Sequence, residues 1–242
     1  MTVPTTESDR LLDSLCTIMA TLRSEQGCPW DRQQTATTLK PYILEEACEL
    51  LEAIDRGDAA DIQDELGDLL LQIVFLAQIF SEQNQFGIHD VIRSISAKMI
   101  RRHPHVFADA TTDGHHQRWE RIKARENKER QRPEQLATRI PATLPALKRT
   151  QKLAAKTTIP PLVELVEKLH QQHQQLQQFT LKQNSCADQD ETSALTTTVG
   201  EILSLTTQLA AALNIDAEDT LRAKTTAKIR EIDDATRPQP RS

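Results

Sequence analysis

Apolar residues recur at intervals of three and four along most of the chain, which is the spacing of amphipathic α-helices. This pattern predicts helices over residues 9–23, 35–56, 58–83, 88–102 and 113–130. Leucine, alanine, glutamine, glutamate and lysine are abundant and glycine occurs only 6 times, so the composition also favours helix over strand. The fold class predicted from these observations is all-α.

The second and third predicted helices each carry an apolar stripe, and such stripes are expected to face a core. The stripe of the second helix consists of Ile43, Ala47, Leu50 and Ile54. The stripe of the third helix consists of Ile62, Leu66, Leu69, Ile73 and Ala77.

Breaker and capping residues separate the predicted helices. Gly57 is expected to close the second helix and Asp58 to cap the third, while His103 and Pro104 stop the fourth. Residues 28–31 (Cys-Pro-Trp-Asp) are predicted to form a loop. The second and third helices therefore form an antiparallel pair that reverses at Gly57.

Prolines and polar stretches divide the chain into two helical parts. The prediction assigns residues 1–8 to a disordered N-terminus, 9–132 to a first domain, 133–146 to a linker, 147–235 to a second helical domain and 236–242 to a tail. Within the second part, residues 184–198 are predicted to form a flexible loop.

Composition argues against several classes of protein. The formal net charge of -6 disfavours a general nucleic-acid binder, although residues 98–102 and 118–132 are locally basic. The longest apolar stretch, residues 69–80, is interrupted by glutamines and is too short to span a bilayer. The cysteines form no CxxC pair and no secretory signal is visible, so we expect reduced thiols and a cytoplasmic location. Neither a membrane nor a specific nucleic acid is an expected partner.

The hairpin places four acidic side chains together. Glu46 and Glu49 are three residues apart on one helix, and Glu65 and Asp68 are three residues apart on the next, so each pair shares a helix face. Glu49 and Glu65 each lie eight positions from Gly57, and Glu46 and Asp68 each lie eleven positions from it. Because both arms rise by about 1.5 Å per residue, the four carboxylates are predicted to converge at the same height.

Converging carboxylates repel one another, and a hard cation with oxygen ligands is the simplest compensation. Mg²⁺ fits best, with Mn²⁺ as an alternative, and an open carboxylate site for Mg²⁺ indicates phosphate-ester chemistry. The structural alternative is a solvated acidic helix face, since Glu45, Glu52, Asp61 and Asp64 show that acids are plentiful here. Geometry alone leaves both interpretations open.

Short motifs carry a resemblance to a known family. They lie at residues 28–31 (CPWD), 45–49 (EEACE), 65–68 (ELGD) and 101–107 (RRHPHVF), and Trp119-Glu120-x-Ile122-Lys123 extends the match. In these motifs the chain resembles MazG nucleotide pyrophosphohydrolases over about residues 9–130. The resemblance implies an all-α nucleoside triphosphate pyrophosphatase fold, usually dimeric, that uses Mg²⁺ to cleave a nucleoside triphosphate to the monophosphate and pyrophosphate.

The resemblance also implies roles for individual residues. Glu46, Glu49, Glu65 and Asp68 match the family's metal ligands, and Glu45 is a candidate for orienting a water molecule or assisting a further cation. The resemblance further indicates substrate contacts: Lys98, Arg101 and Arg102 to triphosphate oxygens, Trp119 and Lys123 to base and phosphate, and Trp30 at the entrance.

Structural roles for some of these residues remain open. Arg101 and Arg102 also suit the C-terminus of a helix, where positive charge is favourable, and Trp119 also suits a core anchor.

The second part of the chain resembles a degenerate copy of the first. Residues 144–149 and 151–156 resemble the start of the family's second repeat, which indicates an internal duplication. Glutamines at positions 171, 172 and 175 stand where glutamates are expected, and residues 198–201 (Thr-Val-Gly-Glu) replace ExxD, which leaves one carboxylate of the four. Neutral amides are poor ligands for Mg²⁺. We therefore expect this part to be catalytically silent and to serve in dimerisation, regulation or stability.

Three functions are compatible with the sequence. A pyrophosphohydrolase that clears excess or non-standard nucleoside triphosphates is favoured by the complete acid set of the first part. A noncatalytic nucleotide sensor or scaffold is motivated by the degenerate second part. A related enzyme acting on another pyrophosphate compound, such as phosphoribosyl-ATP, would keep the metal chemistry. The preferred base and sugar follow no readable pattern.

Overall fold

The structure is a computed structural model, and it describes residues 7–108, 115–129, 140–182 and 189–236. Throughout these residues every regular element is an α-helix, so the prediction of an all-α fold is confirmed. The chain divides into two compact units, Met1–Glu126 and Asn127–Ser242. None of the helices in the described ranges is long and apolar enough to cross a bilayer.

The helices that begin in the first unit are, in chain order, α1 Glu7–Leu22, α2 Pro29–Gln33, α3 Lys40–Arg56, α4 Ala59–Glu82, α5 Ile88–Arg102, α6 Pro104–Phe107 and α7 His115–Glu129. Met19 on α1, Leu39 before α3, and Val74, Phe75 and Ile79 on α4 form the buried core of this unit. The core thereby fixes the α3–α4 hairpin against α1.

The caps of the hairpin are those that the sequence predicts. Gly57 closes α3 in the left-handed conformation, with φ of 76°. The side chain of Asp58 accepts hydrogen bonds from the backbone N–H groups of Ala60 and Asp61, with N···O distances of 2.8 and 3.4 Å. The hairpin therefore reverses where the sequence predicts.

Two predicted starts are corrected. α1 begins at Glu7, two residues earlier than predicted, and residues 1–6 lie outside the described part. α3 begins at Lys40 and not at residue 35, because Pro41 occupies its first turn. Before it, Thr35 and Thr38 each accept a hydrogen bond from the other's backbone N–H, at 3.2 and 2.9 Å, and hold a turn in place of the predicted helical start.

The predicted loop at residues 28–31 is also wrong, because Pro29–Gln33 form the short helix α2. Pro29 lies in its first turn, where the missing N–H is of no consequence, and Asp31 adds an acid near the N-terminus. The sequence signal for a helix of 5 residues is weak because it contains less than one full apolar repeat.

Arg23 fastens α2 to the rest of the unit. Its Nε and Nη2 donate to the two carboxylate oxygens of Glu82 at 2.8 and 2.7 Å. Its Nη1 donates to the backbone carbonyls of Asp31 and Gln34 at 2.5 and 3.2 Å. The guanidinium carbon lies 5.4 Å from the centroid of the Phe75 ring. One nearly buried arginine therefore links α1, α2 and α4.

The predicted apolar stripes are wrong at several positions. Ile54, Leu66 and Ile73 are exposed, whereas the buried side of α4 carries Val74, Phe75, Ala77 and Ile79. From residue 69 onward α4 is apolar almost all round, so its sequence period alone does not select the face that packs.

The second unit contains four helices among its described residues: α8 Ala146–Ala154, α9 Leu162–Lys182, α10 Gln189–Ala212 and α11 Ala217–Thr236. α9 and α10 form a hairpin, and α8 packs on α10 and α11. Of the predicted linker 133–146, residues 133–139 lie outside the described part, as do residues 237–242 of the predicted tail.

The loop predicted at residues 184–198 is wrong from Gln189 onward, since α10 begins there, and residues 183–188 lie outside the described part. Threonine is usually a weak helix former because its hydroxyl competes for backbone groups. Here the hydroxyls of Thr196, Thr197 and Thr198 donate to backbone carbonyls four residues earlier, at 2.8 to 3.0 Å, and the helix continues.

Candidate active site

The α3–α4 hairpin brings three of the predicted acids together. Oxygen atoms of Glu46, Glu49 and Glu65 all lie within 4.8 Å of one another. At that distance the group does not include Asp68, which is exposed on α4. The sequence predicts that all four acids converge because of their equal spacing from Gly57, and at this distance three of the four do so.

Desolvation and repulsion together raise the pKa values of two of these acids, Glu46 and Glu65. Burial raises the pKa of Glu46 above the ordinary value, and the charges of Asp68 and Glu49 raise it further. Desolvation also raises the pKa of Glu65, with added repulsion from Glu49 and Asp68, while the charge of Arg56 opposes the rise. Asp68 therefore acts on both acids although its oxygens lie outside the closest group.

Gln72 is a neighbour of this cluster that the sequence analysis did not identify. It lies on α4, only 7% exposed, and its Nε2 is 3.4 Å from the Oε1 of Glu46. Among the described residues its own Oε1 is buried and has no hydrogen-bond partner. A glutamine one helical turn beyond Asp68, inside an apolar stretch, is the signal that points to it.

Glu45 precedes Glu46 on α3 and is exposed. Its charge makes a small contribution to the raised pKa of Glu46. The structure thus places Glu45 at the border of the acidic cluster, on the solvent side.

Two predicted substrate residues, Arg101 and Arg102, are bound to a buried carboxylate. An Nη2 of each arginine lies 2.6 and 2.5 Å, respectively, from an oxygen of Glu126 on α7. Hydrogen bonds, that from Arg102 foremost, hold the pKa of Glu126 below its usual value. Arg101 remains about half exposed, whereas Arg102 is largely buried. Glu126 was also missed by the sequence analysis.

Trp119 and Lys123 belong to the same group on α7. The guanidinium carbon of Arg102 lies 5.4 Å, and the ammonium nitrogen of Lys123 4.5 Å, from the centroid of the Trp119 ring. Both distances suit cation–π contacts, so the Trp119 ring stabilises the positive charges of Arg102 and Lys123 beside it.

The two remaining predicted residues are accessible. Trp30 on α2 is 50% exposed, and its ring meets Tyr42 edge to face with 5.8 Å between centroids. Lys98 is half-buried on α5, about one turn before Arg101 and Arg102. Trp30 therefore has a fixed orientation and an open face.

The second unit has no equivalent cluster among its described residues, since Glu46, Glu49 and Glu65 form the one such group of three in the described part of the chain. Thr198 is buried, and its hydroxyl donates to the carbonyl of Ala194 at 3.0 Å. Glu201 is exposed.

Comparisons with known proteins agree with this geometry. Residues 34–107 match the family profile described as the MazG nucleotide pyrophosphohydrolase domain, and this range contains α3, α4 and the whole acidic cluster.

Similar proteins carry a related name. The chain is 45% identical over 167 residues to a nucleoside triphosphate pyrophosphohydrolase of Escherichia coli, which covers 64% of this chain and 63% of that protein. It is 52% identical over 120 residues to a nucleoside triphosphate pyrophosphohydrolase/pyrophosphatase MazG of Thermotoga maritima, covering 50% of this chain and 47% of that protein.

A relative from Mycobacterium tuberculosis, also named a nucleoside triphosphate pyrophosphohydrolase, is 36% identical over 156 residues and is covered over 47% of its length. The chain thus spans between about half and two thirds of the length of these relatives. The resemblance inferred from the motifs is confirmed for residues 34–107, which match the MazG nucleotide pyrophosphohydrolase domain and contain the acidic cluster.

Proposed function

We propose that this chain is a Mg²⁺-dependent nucleoside triphosphate pyrophosphohydrolase that forms a nucleoside monophosphate and pyrophosphate. The observation that supports the proposal most strongly is the convergence of Glu46, Glu49 and Glu65 within the matched domain. The names of the similar proteins point to the same reaction. Clearing excess or non-standard nucleotides is the cellular role that we infer for it.

The acidic cluster suits a divalent cation. Carboxylate oxygens are the ligands that Mg²⁺ and Mn²⁺ prefer, and two oxygens bound to one Mg²⁺ lie at most about 4.2 Å apart. Oxygens within 4.8 Å of one another need only small side-chain movements to meet that limit. The neighbouring cation, Arg56, is already paired with Glu52 and Asp61 at 3.1 and 2.9 Å. Desolvation and then repulsion by neighbouring acids raise the pKa values of Glu46 and Glu65, and a bound cation would relieve that repulsion.

In the proposed reaction the chain's own residues hold and orient the reactants. Glu46, Glu49 and Glu65, with Asp68 as a fourth ligand, would hold the cation, and Glu45 would orient a water molecule from the solvent side. Mg²⁺, when bound, supplies positive charge to the polyphosphate and lowers the pKa of a bound water. These roles require no further acid or base from the second unit.

The basic cluster on α5 and α7 suits the triphosphate. Lys98 and the half-exposed Arg101 are the side chains that we assign to phosphate oxygens. Because Arg102 is largely buried between Glu126 and Trp119, we infer that it chiefly orients the other groups of this cluster. Lys123 and Trp119 remain candidates for phosphate and base, and the open face of Trp30 for the entrance.

We infer in-line attack of water on the α-phosphorus, with pyrophosphate as the leaving group. Hydrolysis in ¹⁸O-labelled water is then expected to place the label in the monophosphate. Label found only in pyrophosphate would overturn this assignment.

We also propose that the chain acts as a homodimer in the cytoplasm. Large apolar side chains are exposed on three successive helices of the first unit: Leu51 and Ile54 on α3, Leu66, Leu70 and Ile73 on α4, and Ile92 and Ile95 on α5. Exposed apolar surface of this kind favours association. The free thiols of Cys16, Cys28 and Cys48 suit a reducing compartment. Sedimentation analysis of the full chain tests the dimer.

The central experiment compares Glu46→Gln with the control Asp64→Asn. Asp64 is an exposed acid on α4 beside Glu65, so its substitution removes a neighbouring charge but no proposed ligand. Mg²⁺-dependent release of pyrophosphate from nucleoside triphosphates should fall at least about 100-fold in E46Q and stay near wild type in D64N. A chelator should abolish the wild-type reaction.

The outcome separates the remaining alternatives. Full activity in E46Q would overturn the metal site, and nucleotide binding by wild type without turnover would favour a sensor or scaffold. A substrate panel of standard, deoxy and damaged triphosphates together with phosphoribosyl-ATP identifies the substrate class.

A further inference from the structure

We infer that Gln72 is a positioning residue that holds the carboxylate of Glu46 in the orientation needed to bind a divalent cation. This inference rests on the proposed function, because it concerns the same acidic cluster. Gln72 itself is a neutral amide and is not one of the four proposed ligands.

The geometry of the pair supports this role. Gln72 lies one helical turn after Asp68 on α4, and its Nε2 is 3.4 Å from the Oε1 of Glu46 on α3. The opposite orientation of the amide would turn its oxygen toward the carboxylate, where two acceptors would face each other. The N–H group therefore belongs on the side of Glu46.

The other half of the amide provides a second observation. Gln72 is 7% exposed, and its Oε1 is buried with no hydrogen-bond partner among the described residues. The other buried residues of α4, which are Val74, Phe75, Ala77 and Ile79, are all apolar. A half-satisfied buried amide is less favourable than an apolar side chain of similar size. Stability alone therefore favours methionine at this position, and the glutamine is explained by its contact with Glu46.

The charges around Glu46 show why it needs a donor. Glu49 and Asp68 both repel its carboxylate, while Gln72 offers it a hydrogen bond from the opposite arm of the hairpin. Without that bond the side chain is free to turn away from its neighbours. Hydrogen bonds that orient a metal ligand typically change metal affinity by about 10- to 100-fold when they are removed.

The test measures Mn²⁺ binding to the full-length chain through the electron paramagnetic resonance signal of free Mn²⁺, without any substrate. Gln72→Met should raise the Kd for Mn²⁺ by about 10-fold or more. Its melting temperature without metal should equal or exceed that of wild type, whereas a purely structural role for Gln72 would lower it.

Gln78→Met is the matched control. Gln78 lies on the same helix and also donates to a glutamate, with 3.0 Å between its Nε2 and the Oε1 of Glu82. Because Glu82 pairs with Arg23 outside the acidic cluster, Q78M should leave the Kd for Mn²⁺ within about twofold of wild type.

A double-substitution cycle tests whether Gln72 acts through Glu46. Adding Q72M to E46Q should weaken Mn²⁺ binding no further, because the hydrogen-bonded carboxylate is already absent. Equal weakening in both backgrounds, or unchanged binding in Q72M, would overturn the inference alone. A wild-type chain that binds no Mn²⁺ would overturn the proposed function and this inference together.

Discussion

Acidic residues of the first unit have pKa values that their surroundings shift in opposite directions. Glu82 and Glu126 each receive hydrogen bonds from arginines, which lower their pKa values. Glu46 and Glu65 instead face other carboxylates, and their pKa values are raised. At neutral pH the surroundings of the first pair favour the ionised carboxylate, whereas the surroundings of the second pair disfavour it.

The Arg23–Glu82 pair leads to a prediction about pH. Hydrogen bonding to Arg23 lowers the pKa of Glu82 from the ordinary value of 4.5. Its contribution to stability is therefore fully present above that value and is lost as the pH falls through the folded-state pKa. Glu82→Gln should lower the free energy of unfolding by about 2 kcal/mol at pH 7, less than for a fully buried pair because the side chain of Glu82 is 38% exposed.

The difference between E82Q and wild type should shrink as the pH falls below 4.5 and through the lowered folded-state pKa of Glu82. Denaturation followed by tryptophan fluorescence reports on the first unit, because both tryptophans of the chain, Trp30 and Trp119, lie there. Glu52→Gln removes an exposed i,i+4 pair with Arg56 and should change stability by no more than about 0.5 kcal/mol. A loss in E82Q that does not depend on pH would show that the ion pair is not its cause.

At the scale of the helical elements, replacing either of two glycines in the hairpin by alanine should change the stability of the first unit, but in opposite directions. Gly57 has φ of 76°, so Gly57→Ala should destabilise the first unit by about 1 kcal/mol. Gly67 lies inside α4, and a Cβ there meets no described atom within 4 Å, so Gly67→Ala should stabilise it by about 0.5–1 kcal/mol. The same fluorescence-detected denaturation measures both, and changes of equal sign would contradict the conformational explanation.

The same hairpin shows what the sequence can predict. Gly57 and Asp58 have strong local preferences, and once they fix the reversal, counting along two helices brings Glu46, Glu49 and Glu65 together. The packed face of α4 could not be predicted in the same way, because most of its second half is apolar on every side. Which residues of α4 are buried depends on the helices that pack against it, and the local sequence of α4 does not contain that information.

Long-range pairing also explains the residues that the sequence analysis missed. Gln72 meets Glu46 across 26 positions, and Glu126 meets Arg101 across 25. No local spacing rule connects residues so far apart, and neither residue belongs to an acidic motif of its own. α2 was missed for a different reason, since a helix of 5 residues contains too few positions to show a period.

At the scale of the whole molecule, each unit contains a helical hairpin, α3–α4 in the first and α9–α10 in the second. In the internal duplication that the sequence predicts, Thr198 of the second hairpin corresponds to Glu65, and it is buried with its hydroxyl bonded to its own helix. Glu201 then corresponds to Asp68, and it is exposed. We propose that the second hairpin has kept the packing of the first and has lost its ligand chemistry.

This comparison predicts that only the first unit supports catalysis. Asp68→Asn and Glu201→Gln each remove one charge from positions that the proposed duplication makes equivalent, so they are matched substitutions. D68N should lower Mg²⁺-dependent pyrophosphate release by about 100-fold or more, because a proposed ligand of the cation is lost. E201Q should keep the rate within about twofold, because Glu201 is exposed and belongs to no group of three acids among the described residues, and a single carboxylate binds Mg²⁺ weakly. A large loss of pyrophosphate release in E201Q, with an unchanged melting temperature, would contradict this prediction, because it would show that the second unit contributes to catalysis.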